Sequence, residues 1–266
     1  MQRSLSVVLY ILASLLITSC SKVDSLFNNG EPITVQREVN QVFHSISMYN
    51  NVNVKLVHDN HPHLELTCPE NLIEKVTTRI EDGILTVKNE NDHNWLRSYD
   101  YSIDLTIYYD SISTINYASV GDLYSSDNDT IRGYGKREID TTETGIHSQW
   151  IRGFYININE GCGKIDLAVK CNVIKTDFNN GTSEVTLRGL ADYTEILMRS
   201  YGVVHAENLY SDFVRVMSES TNDAYVWFRT KLTVWIKSIG NIYYKGKPSH
   251  IEIKQHTGDG EIIKLE

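Results

Sequence analysis

Apolar and polar residues alternate along most of this chain. Val52-Asn53-Val54-Lys55-Leu56, Leu64-Glu65-Leu66, Leu85-Thr86-Val87 and Ile103-Asp104-Leu105-Thr106-Ile107 all repeat with a period of two. Successive side chains of an extended backbone point to opposite sides, so this period places one strand face in a core and the other in water. From Thr34 onward the chain therefore reads as β-structure. The exception is Glu70-Asn71-Leu72-Ile73-Glu74-Lys75-Val76, which follows Pro69 and is the one good candidate for a short helix.

The C-terminal part contains a repeat. Lines of about 20 residues open at Gly161, Gly181, Tyr201, Thr221, Gly240 and Gly260. Each complete line holds a short strand, a polar break and a second strand, as in Lys164-Ile165-Asp166-Leu167 followed by Val173-Ile174-Lys175-Thr176. A unit of this size cannot bury its own apolar face, whereas stacked copies bury one continuous core. The pattern predicts an all-β solenoid with coils of about 20 residues and parallel pairing between equivalent strands. The competing reading is an antiparallel meander folded into a sandwich. In the solenoid, Ile165, Val185 and Val204 form an inward ladder that Val226 and Ile242 continue.

The first residues have a different character. Met1-Gln2-Arg3-Ser4 gives a short positive start, and Leu5 to Ile17 is apolar apart from Ser6, Tyr10 and Ser14. That run is shorter than the roughly 20 residues of a spanning helix and fits the apolar region of a secretory signal. It ends in Ile17-Thr18-Ser19-Cys20, which resembles a lipobox: cleavage before Cys20 would leave a cysteine whose thiol takes a lipid. Residues 1–19 are thus read as a lipoprotein signal peptide, 20–33 as the lipidated cysteine and its tether, and 34–266 as the folded domain. The expected partner is a membrane, reached through the N-terminal lipid. Ser21 is not the Asp that retains some lipoproteins at the inner membrane, so the outer membrane is favoured and the face it displays is left open.

A formal net charge of -9, spread along the chain, argues against nucleic acid as a partner. Cys68, Cys162 and Cys171 remain beside Cys20. Cys162 and Cys171 are close enough to pair in an oxidising compartment, and equally suited to being small buried residues, so the sequence leaves that bridge undecided. Residues 128–152 interrupt the repeat with a polar insertion of mixed charge.

Candidate chemistry is sparse. His58, His61 and His63 with Asp59 form the most metal-like cluster, but they sit between two strands where a polar turn is expected, and no metal or other cofactor is assigned. Asp166, Asp177, Glu184, Glu195, Glu207 and Asp212 do not fall into one column as the paired carboxylates of a glycosidase would. The Asp-containing Gly turns match no recognised calcium loop, and no Gly-x-Ser-x-Gly elbow, His-Glu-x-x-His pair, P-loop or dinucleotide fingerprint is present. Aromatic residues are more informative, with sixteen Tyr and four Trp. If the aliphatic residues of the last lines face the core, then Tyr225, Trp227, Trp235 and Tyr243 face outward, where such rings stack on sugars or anchor protein interfaces.

Several short elements, in order, resemble a known family. They are Val42-Phe43-His44-Ser45-Ile46 leading into Val52-Asn53-Val54, Glu70-Asn71-Leu72-Ile73, Asp82-Gly83-Ile84-Leu85, the segment Ser238 to Pro248, and Thr257-Gly258-Asp259-Gly260. Together they look like the auto-transporter adhesin head GIN domain found in Bacteroidetes lipoproteins. The resemblance implies a fold like the right-handed parallel β-helices of the pectin lyase type, no preserved catalytic set, and adhesion. The turns at Ser119-Val120-Gly121-Asp122 and Ser218 to Asp223 depart from the family's Gly-Ser pattern. The leading functional reading is a non-enzymatic cell-envelope adhesin or binding module with a glycan or protein ligand. The alternatives are a polysaccharide lyase or hydrolase on the same fold, and a structural envelope protein acting as a homo-oligomer.

Overall fold

The computed structural model describes residues 28–91, 101–126, 129–142, 145–246 and 249–266, with 136–142 and 145–150 as backbone alone. The signal segment and Cys20 lie outside these residues. Eighteen strands form one curled, mixed sheet around an apolar core. The first nine are β1 (Pro32–Glu38), β2 (Ser45–Asn50), β3 (Asn53–His58), β4 (His63–Pro69), β5 (Val76–Glu81), β6 (Ile84–Asn89), β7 (Asp104–Tyr109), β8 (Thr114–Ser119) and β9 (Leu123–Ser125). There follow β10 (Tyr134–Thr142), β11 (Gly145–Gly161), β12 (Lys164–Phe178), β13 (Glu184–Met198), β14 (Val203–Ser218), β15 (Ala224–Ile236), β16 (Ile242–Lys245), β17 (His250–His256) and β18 (Ile262–Lys264).

The C-terminal strands pair in parallel, one sequence repeat apart. Lys164 lies beside Glu184, Glu184 beside Val203, Val204 beside Ala224, and Ile242 beside Ile262. The two short strands expected in each line are one continuous bent strand. In β12 the buried residues are Ile165, Leu167, Val169 and Cys171, then Ile174, Thr176 and Phe178. The alternation slips by one residue at Asn172-Val173, and it slips again at Asp192-Tyr193 in β13 and at Asp212-Phe213 in β14. Two successive outward residues let the strand turn a corner while its neighbours stay paired, much as a bulge does. Close packing of β13 on β12 just ahead of this corner requires glycine at position 189. Its φ is 117°, and a Cβ there would run into the Val169 carbonyl oxygen.

The halves before and after the corner form two rows. The first row runs β1–β4–β7–β3–β9 and then through the first halves of β12 to β15 to β16 and β18. One inward ladder crosses it: Val35, Leu66, Leu105, Val54, Leu123, Ile165, Val185, Val204, Ala224, Ile242 and Ile262. The register corrects the sequence reading at one rung. Ala224, not Val226, sits between Val204 and Ile242, and Val226 is one inward step further along, beside Ala206 and Tyr244. The spacing misled because each line carries inward residues at every second position, so two neighbouring ladders fit the same period.

The N-terminal part departs from pure parallel pairing. β1 pairs antiparallel with β4, β4 with β7, and β5 with β6. These strands cover the first coil, and covered ends are what a stack of repeats needs. The order in space also differs from the order in the chain, since β2 lies between β6 and β8. The stretch expected as a short helix makes only a single 3-10 turn, Ile73–Lys75. β1 begins at Pro32, paired with Pro69, so the fold starts slightly before the expected boundary at residue 34. Within 128–152, β10 and β11 form an antiparallel hairpin from Tyr134, opposite Gly153, to Thr142, opposite Gly145. From Gly153 the second arm enters the parallel row beside Val173.

The ladder yields a sharp contrast. Val185 is fully buried, while Thr186 points outward and is partly exposed. Val185→Asp buries an unpaired charge and is expected to cost about 3 kcal/mol or more. Thr186→Asp is expected to stay within about 0.5 kcal/mol. Thermal melts of the two variants check this, and equal small losses would show that the inward assignment is wrong.

Candidate functional site

The four aromatic residues singled out from the sequence all lie on outward strand positions, partly exposed; Tyr225, Trp227 and Trp235 stand between buried neighbours, and Tyr243 follows buried Ile242. The fold brings three of them together. Tyr225 lies beside Tyr243 in register, and beside His205 on its other side. Their rings form one stack: His205 and Tyr225 have centroids 4.8 Å apart at 12°, and Tyr225 and Tyr243 4.8 Å apart at 9°. Burial beneath its neighbours and the nearby Asp223 raise the Tyr225 phenol above its ordinary pKa, so it is neutral at physiological pH. Trp227 lies two residues along the same face and meets Tyr210 edge-on, 4.8 Å away at 76°. Trp235 stands apart, beyond the corner, where Arg215 lies 4.6 Å over its ring.

Next to Trp227 is an open cleft of about 640 Å³. Its floor is one register column: Lys170, Leu190, Tyr210 and Trp227. Leu190 and Tyr210 are each 50% exposed, so the column presents adjoining apolar surface to the cleft. The corner residues Asn172, Asp192 and Asp212 form one wall, and Arg132 and Arg152, at the foot of the β10–β11 hairpin, close one end. Asn172 donates to Asp192 at 2.6 Å, and Arg229 donates to Asp212 at 2.7 Å. Both arginines also line a second depression of about 480 Å³, with His58, Tyr109 and Tyr134. These residues escaped the sequence reading, although a signal was present. Lys170, Leu190 and Tyr210 share one column of the repeat, and so do Arg152, Asn172, Asp192 and Asp212.

The histidine cluster is dispersed. His63 stacks on Tyr108 at 3.9 Å, His58 meets Tyr109 edge-on, and His61 projects into solvent at the hairpin tip, where its backbone N–H donates to Asp59. Among the described residues no group of His, Cys, Asp and Glu is placed to hold a metal ion. Each of the six carboxylates noted in the sequence has a cationic or histidine neighbour. Asp166 meets Arg188, Asp177 meets Arg199, and Asp212 meets Arg229. Glu184 lies near Lys164 and His205, Glu195 near Lys175 and Arg215, and Glu207 near His205. Five of them link neighbouring strands and Glu207 meets His205 within β14, so they do not form two carboxylates facing each other across a gap. Among the described residues no helix is long and apolar enough to cross a membrane.

Geometry and surface together define a repeat scaffold with an exposed aromatic face and an adjoining cleft. The chain belongs to the family described as "putative auto-transporter adhesin, head GIN domain", which it matches over residues 42–248. Solved structures share its fold. A putative adhesin from Bacteroides fragilis NCTC 9343 aligns with a TM-score of 0.74 at 17% identity, covering 90% of this chain and 100% of the other. A putative lipid binding protein from Parabacteroides distasonis ATCC 8503 gives a TM-score of 0.58 at 15% identity, covering 90% and 99%. A putative adhesin from Parabacteroides merdae ATCC 43184 gives 0.54 at 19% identity, covering 90% and 98%. No curated protein is detectably similar to it.

Cys162 and Cys171 are both free thiols, the first exposed and the second buried at the corner, and Cys68 is free and buried. Burial pushes the Cys68 thiol up to about 11 and the Cys171 thiol up to about 12. The thiolate is the reactive form, so raised values keep both thiols protonated and inert at neutral pH. Iodoacetamide at pH 7.5 is expected to modify Cys162 in the native protein, and Cys68 and Cys171 only after unfolding. Mass spectrometry reads the sites, and a Cys162 that resists labelling until a reductant is added would reveal a bridge.

Proposed function

We propose that this protein is a non-enzymatic binding module of the cell envelope, an adhesin-type lipoprotein built on a right-handed β-solenoid. It holds its ligand against the outer aromatic face of the C-terminal coils. The observation that carries this reading is the His205–Tyr225–Tyr243 ring stack, with Trp227 beside it, on strand positions that the core does not use. Exposed, pre-stacked rings offer a rigid apolar surface at little entropic cost, and such rings anchor sugar faces and protein partners. The parallel ladder of repeat-spaced strands supports the solenoid, and family membership supports adhesion. The carboxylates bound up in cross-strand contacts favour binding over hydrolysis. Export and lipid attachment rest on the segment ending at Cys20, and the outer membrane on Ser21.

Two measurements test the parts separately. For the membrane, Cys20→Ser is expected to abolish incorporation of labelled palmitate and to move the protein out of the membrane fraction; unchanged labelling would overturn the lipid assignment. For the ligand, the full chain in detergent is applied to a glycan array and used as bait with envelope extracts. The double variant Tyr225→Ala/Tyr243→Ala is expected to lose at least tenfold in affinity, about 1.4 kcal/mol, with little change in melting temperature. A double variant that binds as well as the parent would remove the aromatic face from the site.

A further inference from the structure

We infer that the corner cleft binds an anionic polysaccharide, one whose sugar rings carry carboxylate or sulfate groups. This deepens the binding-module reading and rests on it. The first observation is electrostatic. Arg132, Arg152 and Lys170 are exposed and line the same cleft, yet none forms an ion pair with a described carboxylate. In a chain of formal net charge -9, most other cations near a carboxylate are paired with it across strands, as Arg188, Arg199, Arg215 and Arg229 are. A trio of unpaired cations at one end of a cleft is self-repelling until an anion joins it.

The second observation is the floor. Beside Lys170 the column continues as Leu190, Tyr210 and Trp227, and the two rings meet at 76°. One ring can lie under a pyranose face while the other stands against its edge. The cleft therefore pairs an anion-binding end with a ring-binding floor, and a charged sugar has both features.

Asp192 is exposed, and it and Asp212 line the cleft among the cations, where they can accept hydrogen bonds from sugar hydroxyls. Three unpaired cations are few for nucleic acid, whose affinity comes chiefly from many phosphate contacts. Extent points to a polymer. Both arginines line the second depression as well, so a ligand chain can pass from Trp227 past Arg152 and Arg132 toward Tyr109 and Tyr134. Asp110 lines that second depression, and Asp129 accepts from the Tyr109 hydroxyl at 3.3 Å.

The test uses the full chain in detergent and four probes: polygalacturonate, chondroitin sulfate, neutral dextran and single-stranded DNA. Biolayer interferometry is expected to show binding to the first two, weakening as salt is raised, and none to dextran. Arg132→Ala/Arg152→Ala and Tyr210→Ala are each expected to weaken binding at least tenfold. Lys170→Glu is a second route to the same loss should an arginine variant melt early. No binding to either charged polysaccharide would overturn the inference, as would unchanged affinity in the cleft variants. Binding to DNA as tight as to the polysaccharides would overturn it too, in favour of unspecific polyanion capture. If only a neutral glycan or an envelope protein binds, and Tyr225→Ala/Tyr243→Ala abolishes it, the cleft assignment falls and the binding-module reading stands.

Discussion

No single repeat of this protein can bury its apolar face alone, and the rest of the structure follows from that constraint. A line such as Lys164 to Phe178 offers seven inward side chains, and none is covered until β13 and its counterparts stack alongside. Register is therefore fixed by the core. A slip of one residue between β12 and β13 would turn Ile165, Leu167 and Val169 out to water and bring Lys164, Asp166 and Ala168 in. The corner exists for the same reason. Two outward residues in a row, Asn172-Val173, turn the chain so that the second half of the strand faces the same core as the first. The antiparallel strands β1, β4 and β5 cover the end where the stack begins.

Because the register is rigid, the outward positions form columns too, and a column is the unit of surface chemistry here. Lys175, Glu195 and Arg215 are direct neighbours and alternate in sign, with contacts of 3.5 and 3.0 Å. Partly exposed pairs of this kind contribute little each, up to about 1 kcal/mol, but their alternation avoids the repulsion that a column of like charge would create. The same geometry lines up Asp166, Thr186, His205, Tyr225 and Tyr243. The column changes from polar to aromatic as it climbs, with no consequence for the core behind it.

The sequence was most legible where chemistry is periodic. Alternation located most of the strands, the spacing of the glycine and polar turns located the repeats that pair in parallel, and the outward placement of Tyr225, Trp227, Trp235 and Tyr243 followed from parity alone. Parity could not decide which inward residue sits opposite which, so Val226 was placed where Ala224 belongs. Nor could it foresee that β6 and β7 would lie outside β2 and β3, because that order depends on which edge is free when the chain returns. The Glu70–Val76 stretch has helical spacing but follows a strand pinned by Pro69 to β1, and there is room for only one 3-10 turn. The cleft was missed for another reason. Its cations are unremarkable singly, and Arg132 and Arg152 acquire meaning only when the hairpin brings them to the end of the Lys170–Trp227 column.

The aromatic face also has a consistent position along the stack. Neighbouring strands lie about 4.8 Å apart, and eight pairing steps of the first row separate β1 from β15. Tyr225 and Trp227 therefore stand roughly 40 Å from β1 when measured along the row of paired strands. β1 thus lies at the N-terminal end of the row and the stacked rings well along it. The strands toward the far end of this row are the ones that carry His205, Tyr225 and Tyr243.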